Sequence, residues 1–182
     1  MRMIKPLVAA FVLIASISLP AGAQDVDLEQ LLADLADPAT ENWESVERQI
    51  RTEWSKSGSA AMDLLYQRGQ KALEEDDLEA AIEHLTALTD HAPEFAEGWN
   101  ARATALFRKK LYGPAIQDLQ RALALNPRHF GAITGLAVIL QDTGFEKEAL
   151  EAWREVYALH PHRPEMIEAM DALEAKVGGQ TL

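Results

Sequence analysis

The 182-residue chain contains no cysteine. That excludes a disulfide framework, a zinc ribbon, a cysteine nucleophile and a lipid-bearing N-terminal cysteine. Export is not excluded, because a helical array needs no covalent staple. Basic residues are scarce: 17 stand against 29 acidic ones, a formal charge of −12. A nucleic-acid binder or an anionic-membrane binder needs a lysine and arginine track, and no such run occurs. Phosphate-cradling glycine loops of the P-loop or dinucleotide type are missing, and so is a G-x-S-x-G elbow. What the chain does have is apolar material, 48% of its residues, beside an ordinary 25% charged. That composition supports a packed core rather than disorder.

The one long uncharged stretch lies at the start. Arg2 and Lys5 precede Leu7 to Leu19, Pro20 interrupts, and Ala21-Gly22-Ala23 stands before Gln24. This is the layout of a secretory leader with a small-residue cleavage site. Its apolar part falls short of the roughly 20 residues that span a bilayer. Residues 1–23 are therefore read as a signal peptide cleaved between Ala23 and Gln24. The mature chain is expected to be periplasmic or secreted. The alternative is an uncleaved leader that tethers the protein to the inner membrane. Loss of Arg2 and Lys5 takes the formal charge from −12 to −14, which favours solubility and leaves room for a basic partner.

Beyond the leader the sequence repeats itself. Pro93, Pro127 and Pro161 each follow a helical stretch and are separated by 34 residues. Other columns recur at the same interval: Ala81, Ala115 and Ala149; Ile82, Ile116 and Leu150; Leu85, Leu119 and Trp153; Leu65, Trp99 and Ile133; Leu88, Ala122 and Val156. A small residue recurs at Gly69, Ala103 and Ala137. Two helices approach closely only where side chains are small, and the larger residues one turn away fill the space between them. Ala115, Leu119 and Ala122 stand at i, i+4 and i+7, one face of a helix. Asp76-Asp77, Lys110-Leu111 and Thr143-Gly144 divide each unit into two helices. Pro114 falls in a first turn, where its missing N–H costs little. The residue before each closing proline leaves the helical region.

A 34-residue helix-turn-helix unit is the length of a tetratricopeptide repeat. The middle unit resembles that family most, with Trp99, Tyr112, Ala115, Ala122-Leu123 and Pro127 at its signature places. The first unit departs at Leu88, where the family favours alanine. The third carries Phe145 one position early relative to Tyr112. The resemblance covers residues 60–161. It implies an all-α, right-handed superhelical array of helix-turn-helix repeats that binds other proteins.

The domain plan follows. After the leader, residues 24–59 form an N-terminal helical pair. One helix is expected over Val26 to Ala36 and one over Glu41 to Lys56, the second with Trp43, Val46, Ile50 and Trp54 on a stripe. The pair reads as a degenerate unit stacked on the array or, alternatively, as an extension that docks on a partner. Three repeats occupy about 60–93, 94–127 and 128–161. Residues 164–182 supply a capping helix and tail, with Met166, Ile167, Met170, Leu173 and Val177 on its apolar side and Gly178-Gly179 at its end.

Little chemistry is visible. His84, His91, His129, His160 and His162 are read as helix-ending and loop residues, because the only close pair, His160 and His162, has no third ligand marked in the sequence. Glu74-Glu75-Asp76-Asp77 lacks the alternation and glycine of a calcium loop and reads as a solvated turn with a helix cap. All four tryptophans are read as core. Neither an enzymatic site nor a cofactor nor a metal is expected.

Binding is expected on the concave face that the first helix of each repeat lines. The family's groove positions fall on Asp63, Tyr66, Gln70, Leu73 and Glu74, on Glu97, Asn100, Thr104, Phe107 and Arg108, and on Gly131, Thr134, Val138, Gln141 and Asp142. Chaperone-binding members of the family hold a C-terminal carboxylate there with lysine and asparagine. Only Asn100 and Arg108 approach that chemistry here, so a carboxylate clamp is not expected. Amides, hydroxyls and the rings of Tyr66 and Phe107 suit a peptide or a partner helix. Two functions follow: a periplasmic adaptor or scaffold binding a protein partner in this groove, or a structural subunit of an envelope complex or homo-oligomer using the array ends and the N-terminal pair. The leader reading is checked by the intact mass of the exported protein, which is expected to match a chain beginning at Gln24.

Overall fold

A computed structural model describes residues 26–179, and the leader with its Ala23–Gln24 cleavage site lies outside them. Among the described residues the secondary structure is nine α-helices. The N-terminal pair is α1 (Leu28–Ala36) and α2 (Trp43–Trp54). The three repeats are α3 (Ala60–Glu74) with α4 (Leu78–His91), α5 (Ala96–Arg108) with α6 (Tyr112–Leu125), and α7 (Phe130–Asp142) with α8 (Glu146–Leu159). The cap is α9 (Pro164–Gly179). No described helix is long and apolar enough to cross a membrane.

Each repeat closes on the small column. A Cβ placed on Gly69 would lie 2.5 Å from the side chain of Leu85, which is fully buried. The same place is taken by Ala103 in the second repeat and Ala137 in the third, both buried. Ala81, Ala115 and Ala149 are solvent-free on the opposing helices. Three clusters result, each centred on one repeat, and Ile82 and Leu123 join neighbouring clusters. A polar tie crosses between repeats: Arg102 donates to both carboxylate oxygens of Asp118 at 2.7 Å and to Thr89 at 2.9 Å. Both partners of Arg102 are buried, so the guanidinium satisfies them in the core rather than on the surface.

The turn inside each repeat is also periodic. Asp76, Lys110 and Gly144, each 34 residues from the next, take positive φ values of 60°, 60° and 83°. Behind each of them a backbone N–H reaches back five residues: Asp77 to Ala72, Leu111 to Leu106 and Phe145 to Leu140, all at 2.9 Å. This is a left-handed helix stop that caps otherwise orphaned carbonyls. Only the third repeat uses glycine for it.

Several details differ from the sequence expectation. Trp99 is half-buried instead of core: its indole N–H donates to the Pro93 carbonyl at 3.0 Å, and Arg102 lies over its ring. Trp153 is core. In the cap, Met166 and Leu173 are buried but Ile167 is 43% exposed, because one face of a lone helix covers the third repeat. Helical backbone continues through Gly178 and Gly179, since glycine accepts helical φ as readily as a left-handed stop.

The N-terminal pair departs most from expectation. It does not stack on α3 as an extra unit ahead of the first repeat. It folds back and packs at the far end of the array, where α1 contacts α8. Leu32, Leu35, Val46 and Ile50 form one cluster with Phe130 and Leu159. Helices of this length are marginal alone in water, so the pair depends on this docking for its structure.

The turn residues generate a prediction. A non-glycine residue in the left-handed region costs on the order of 1 kcal/mol, and the side chain of Lys110 is exposed. Lys110→Gly is expected to raise stability by about that amount, as measured by urea denaturation of the purified chain.

Candidate functional site

Successive first helices lie side by side, α3 against α5 and α5 against α7, and together form the inner face of the array. Between α5 and α7 this face holds a cavity of about 240 Å³. Leu119 and Ile139, both buried, contribute to its apolar wall, and Asn100, Thr104, Phe107, Thr134 and Val138 also line it. Thr104 donates to the Asn100 carbonyl at 3.0 Å and Thr134 to the Phe130 carbonyl at 2.8 Å. Each hydroxyl hydrogen is thereby spent on its own helix, and the oxygen remains an acceptor. A space of this size suits one or two side chains of a partner rather than a cofactor.

Nearer the start of these helices the face is polar and filled. The Tyr66 hydroxyl donates to Glu97 Oε1 at 3.0 Å and accepts from Gln70 Nε2 at 2.6 Å. Glu97 Oε1 also accepts from Asn100 Nδ2 at 3.4 Å, and Glu97 Oε2 lies 2.7 Å from His129 Nε2. His129 Nδ1 accepts the Ala132 N–H at 3.2 Å as the cap of α7, so Nε2 carries the hydrogen given to Glu97. Burial, and then the charge of Glu97, push the Tyr66 phenol far above its ordinary value. It remains an uncharged donor.

Ten of the fifteen residues expected on the groove thus divide into three groups. Asn100, Thr104, Phe107, Thr134 and Val138 share the cavity. Tyr66, Gln70 and Glu97 join the network. Asp63 and Arg108 are committed elsewhere. Asp63 accepts from the Ser57 hydroxyl at 2.6 Å and the Ser57 N–H at 2.8 Å, which lower its carboxyl below the usual range. Arg108 donates to the Leu73 carbonyl and to Asp76, each at 2.6 Å, so it braces the turn of the first repeat.

Sequence reasoning missed the contacts that α2 makes with the start of α7 and the residues after α8. The Trp54 ring stacks on His129 at 4.6 Å, and Arg51 lies over Phe130, 5.2 Å from its centroid. At the other end of α2, Trp43 stacks on His162 at 5.6 Å, and His162 Nε2 lies 3.0 Å from the Leu35 carbonyl. Midway, the buried Glu47 carboxylate meets His160 Nε2 at 3.2 Å, Arg51 Nε at 2.7 Å and Arg163 Nη2. Burial works to raise the Glu47 carboxyl. The hydrogen bonds from His160 and Arg51 and the charges of Arg51 and Arg163 outweigh it and hold the group at about 2. Of the five histidines, His129, His160 and His162 are therefore docking residues. The sequence held a faint signal: the column of Phe95, His129 and Arg163 shares no chemistry from repeat to repeat.

Stacked helix pairs crossing at small residues, with a pocketed inner face, define a helical-repeat protein. The tetratricopeptide repeat model matches residues 96–129. A TPR repeat-containing protein of Rhizobium etli is 36% identical over 155 residues, 84% of this chain and 75% of that protein. The small glutamine-rich tetratricopeptide repeat-containing protein 2 of Saccharomyces cerevisiae is 30% identical over 135 residues, 70% of this chain but only 39% of that one. Among solved structures, the Arabidopsis OM64 TPR domain superposes with a TM-score of 0.61 at 19% identity, covering 63% of this chain and 95% of that one. The first TPR of Spaghetti (RPAP3), bound to the HSP90 peptide SRMEEVD, gives 0.62 at 23%, covering 64% and 93%. These two likenesses show the fold. The chain belongs to the tetratricopeptide repeat family, and its fold is the all-α repeat array.

The Glu47 network sets a pH dependence. A carboxyl depressed to about 2 contributes stability that is complete above its unfolded value of about 4.5. That contribution is lost as the pH falls from 4.5 toward 2. Glu47→Gln is expected to be less stable than the parent at neutral pH, with the gap narrowing through that window when unfolding is followed by circular dichroism.

Proposed function

We propose that this chain is an exported adaptor or scaffold that binds a peptide or partner helix on its concave face and catalyses no reaction. The observation that carries this reading is the cavity between α5 and α7, apolar in its floor and rimmed by Asn100, Thr104 and Thr134. Apolar floor and amide rim together suit a partner that inserts an apolar side chain while its backbone bonds to the edge. The RPAP3 domain with its HSP90 peptide and the TPR2B domain of yeast Sti1 in complex with an Hsp70 peptide place peptides on proteins of the same fold. An acidic ligand such as the HSP90 peptide SRMEEVD is not the one proposed here. No lysine lines the cavity, and Arg108, the nearest match to a clamp cation, is held by Leu73 and Asp76. The partner segment in this proposal is uncharged where it meets the cavity.

The leader layout supports a site of action in the periplasm or beyond it. A second reading, a structural subunit of an envelope complex or homo-oligomer, draws on Leu111 and Phe145. These stand 34 residues apart on successive turns and are 44% and 54% exposed.

Cross-linked capture from the envelope fraction of the native host separates the two. The comparison is the parent chain against Asn100→Ala/Phe107→Ala/Val138→Asp, with circular dichroism showing that both fold. Loss of a specific partner from the variant, on the order of tenfold or more, is the outcome expected for groove binding. Retention by the variant together with loss from Leu111→Ser/Phe145→Ser would move the interface to the turn edge.

A further inference from the structure

The face lined by α3, α5 and α7 is covered at one margin, the start of α7, and the cover belongs to the same chain. Helix α2 lies across the start of α7 and the loop that follows α8, with Trp54 on His129, Ile50 and Val46 clustered with Phe130, and Trp43 on His162. These anchors, at positions 43, 46, 50 and 54, are the spacing with which an amphipathic helix seats in a groove. Its charge is recognised as well: Glu47 is met by His160 and Arg163 from the array. We propose that the α1–α2 pair is an intramolecular ligand, a resident occupant at the margin of the partner-binding face that an amphipathic partner helix of the same pattern, with a carboxylate at the place of Glu47, displaces.

Three observations argue for an occupant instead of a fixed part of the core. The clusters that close the three repeats contain no residue of α1 or α2. The pair joins the array through the short linker 55–59, where Gly58 takes a φ of +81° with open space around it and Ser57 is tied to α3 through Asp63. Its seat is made largely of residues that break the repeat pattern, His160 and Arg163 after α8 together with His129, which also caps α7 within the array. Release would uncover the His129 ring, which bonds Glu97, and Asn100 joins that pair to the cavity, because it both donates to Glu97 and lines the pocket. The uncovered surface and the pocket would then form one continuous site.

The proposal rests on the concave-face reading in sharing that face. Its test uses the chain's own segment as probe and so needs no envelope partner. A fluorescently labelled peptide of residues 26–56 is titrated against the full parent chain and against full-length Ile50→Glu, whose own pair is disfavoured in the seat. Hydrogen exchange of both proteins, repeated on the gentler Ile50→Ala, reports which helices have opened. The expected result is faster exchange confined to α1 and α2, and peptide binding at least tenfold tighter to Ile50→Glu than to the parent. Exchange accelerated equally in α5 to α8 would show the pair to be integral to the core and overturn the proposal. So would an opened pair in a folded array that still fails to bind the peptide. A groove variant that loses its envelope partner while the peptide still binds separates the two readings.

Discussion

Two helices can share a surface only where one of them gives up its side chain. In this array that concession falls on Gly69, Ala103 and Ala137, opposite Leu85, Leu119 and Trp153. The close crossing fixes the angle within each pair, and repetition of that angle sets all three first helices on one side. The inner face is therefore a by-product of the packing rule. Residues pointing into it are released from core duty, which is why Asn100, Thr104 and Thr134 are polar there without a burial cost.

The periodic part of the architecture was legible because its physics repeats. A small residue at a crossing, a proline after a helix and an apolar stripe are each visible in one unit and are confirmed by the next. The cavity residues on α5 and α7 were found in the same way, through the family's groove positions. Two kinds of information had no period to reveal them. One is reassignment of a groove residue to structural work, as with Arg108 on the Leu73 carbonyl or Asp63 on Ser57. The other is long-range docking. Nothing local in Glu47 announces a partner 113 residues away in His160. The stripe on α2 showed that the helix must bury a face, but not against what.

Docking also explains an expensive arrangement. Glu47 is a buried carboxylate, and burying a charge is costly unless it is paired. Two guanidiniums and an imidazole meet it, yet such networks contribute little net stability against an apolar alternative. Their better-attested return is register. A greasy helix could slide along Phe130 and Leu159, but only one position puts Glu47 against His160 and Arg163 while Trp43 reaches His162 and Trp54 reaches His129.

The sequence distance of that docking has a temporal side. The array contacts described above join residues about one repeat apart or less and can form once neighbouring pairs exist. The seat of α1 and α2 is built from residues 129–163, about a hundred positions downstream. Ribosomes add roughly 5–20 residues per second, so several seconds separate the pair's synthesis from that of its seat. The first helices made are among the last to find their place. Until then a strip bearing Trp43, Val46, Ile50 and Trp54 is uncovered, the kind of surface that holding chaperones recognise. The segment that finishes the fold is thus also the one that most needs an escort while the chain is incomplete.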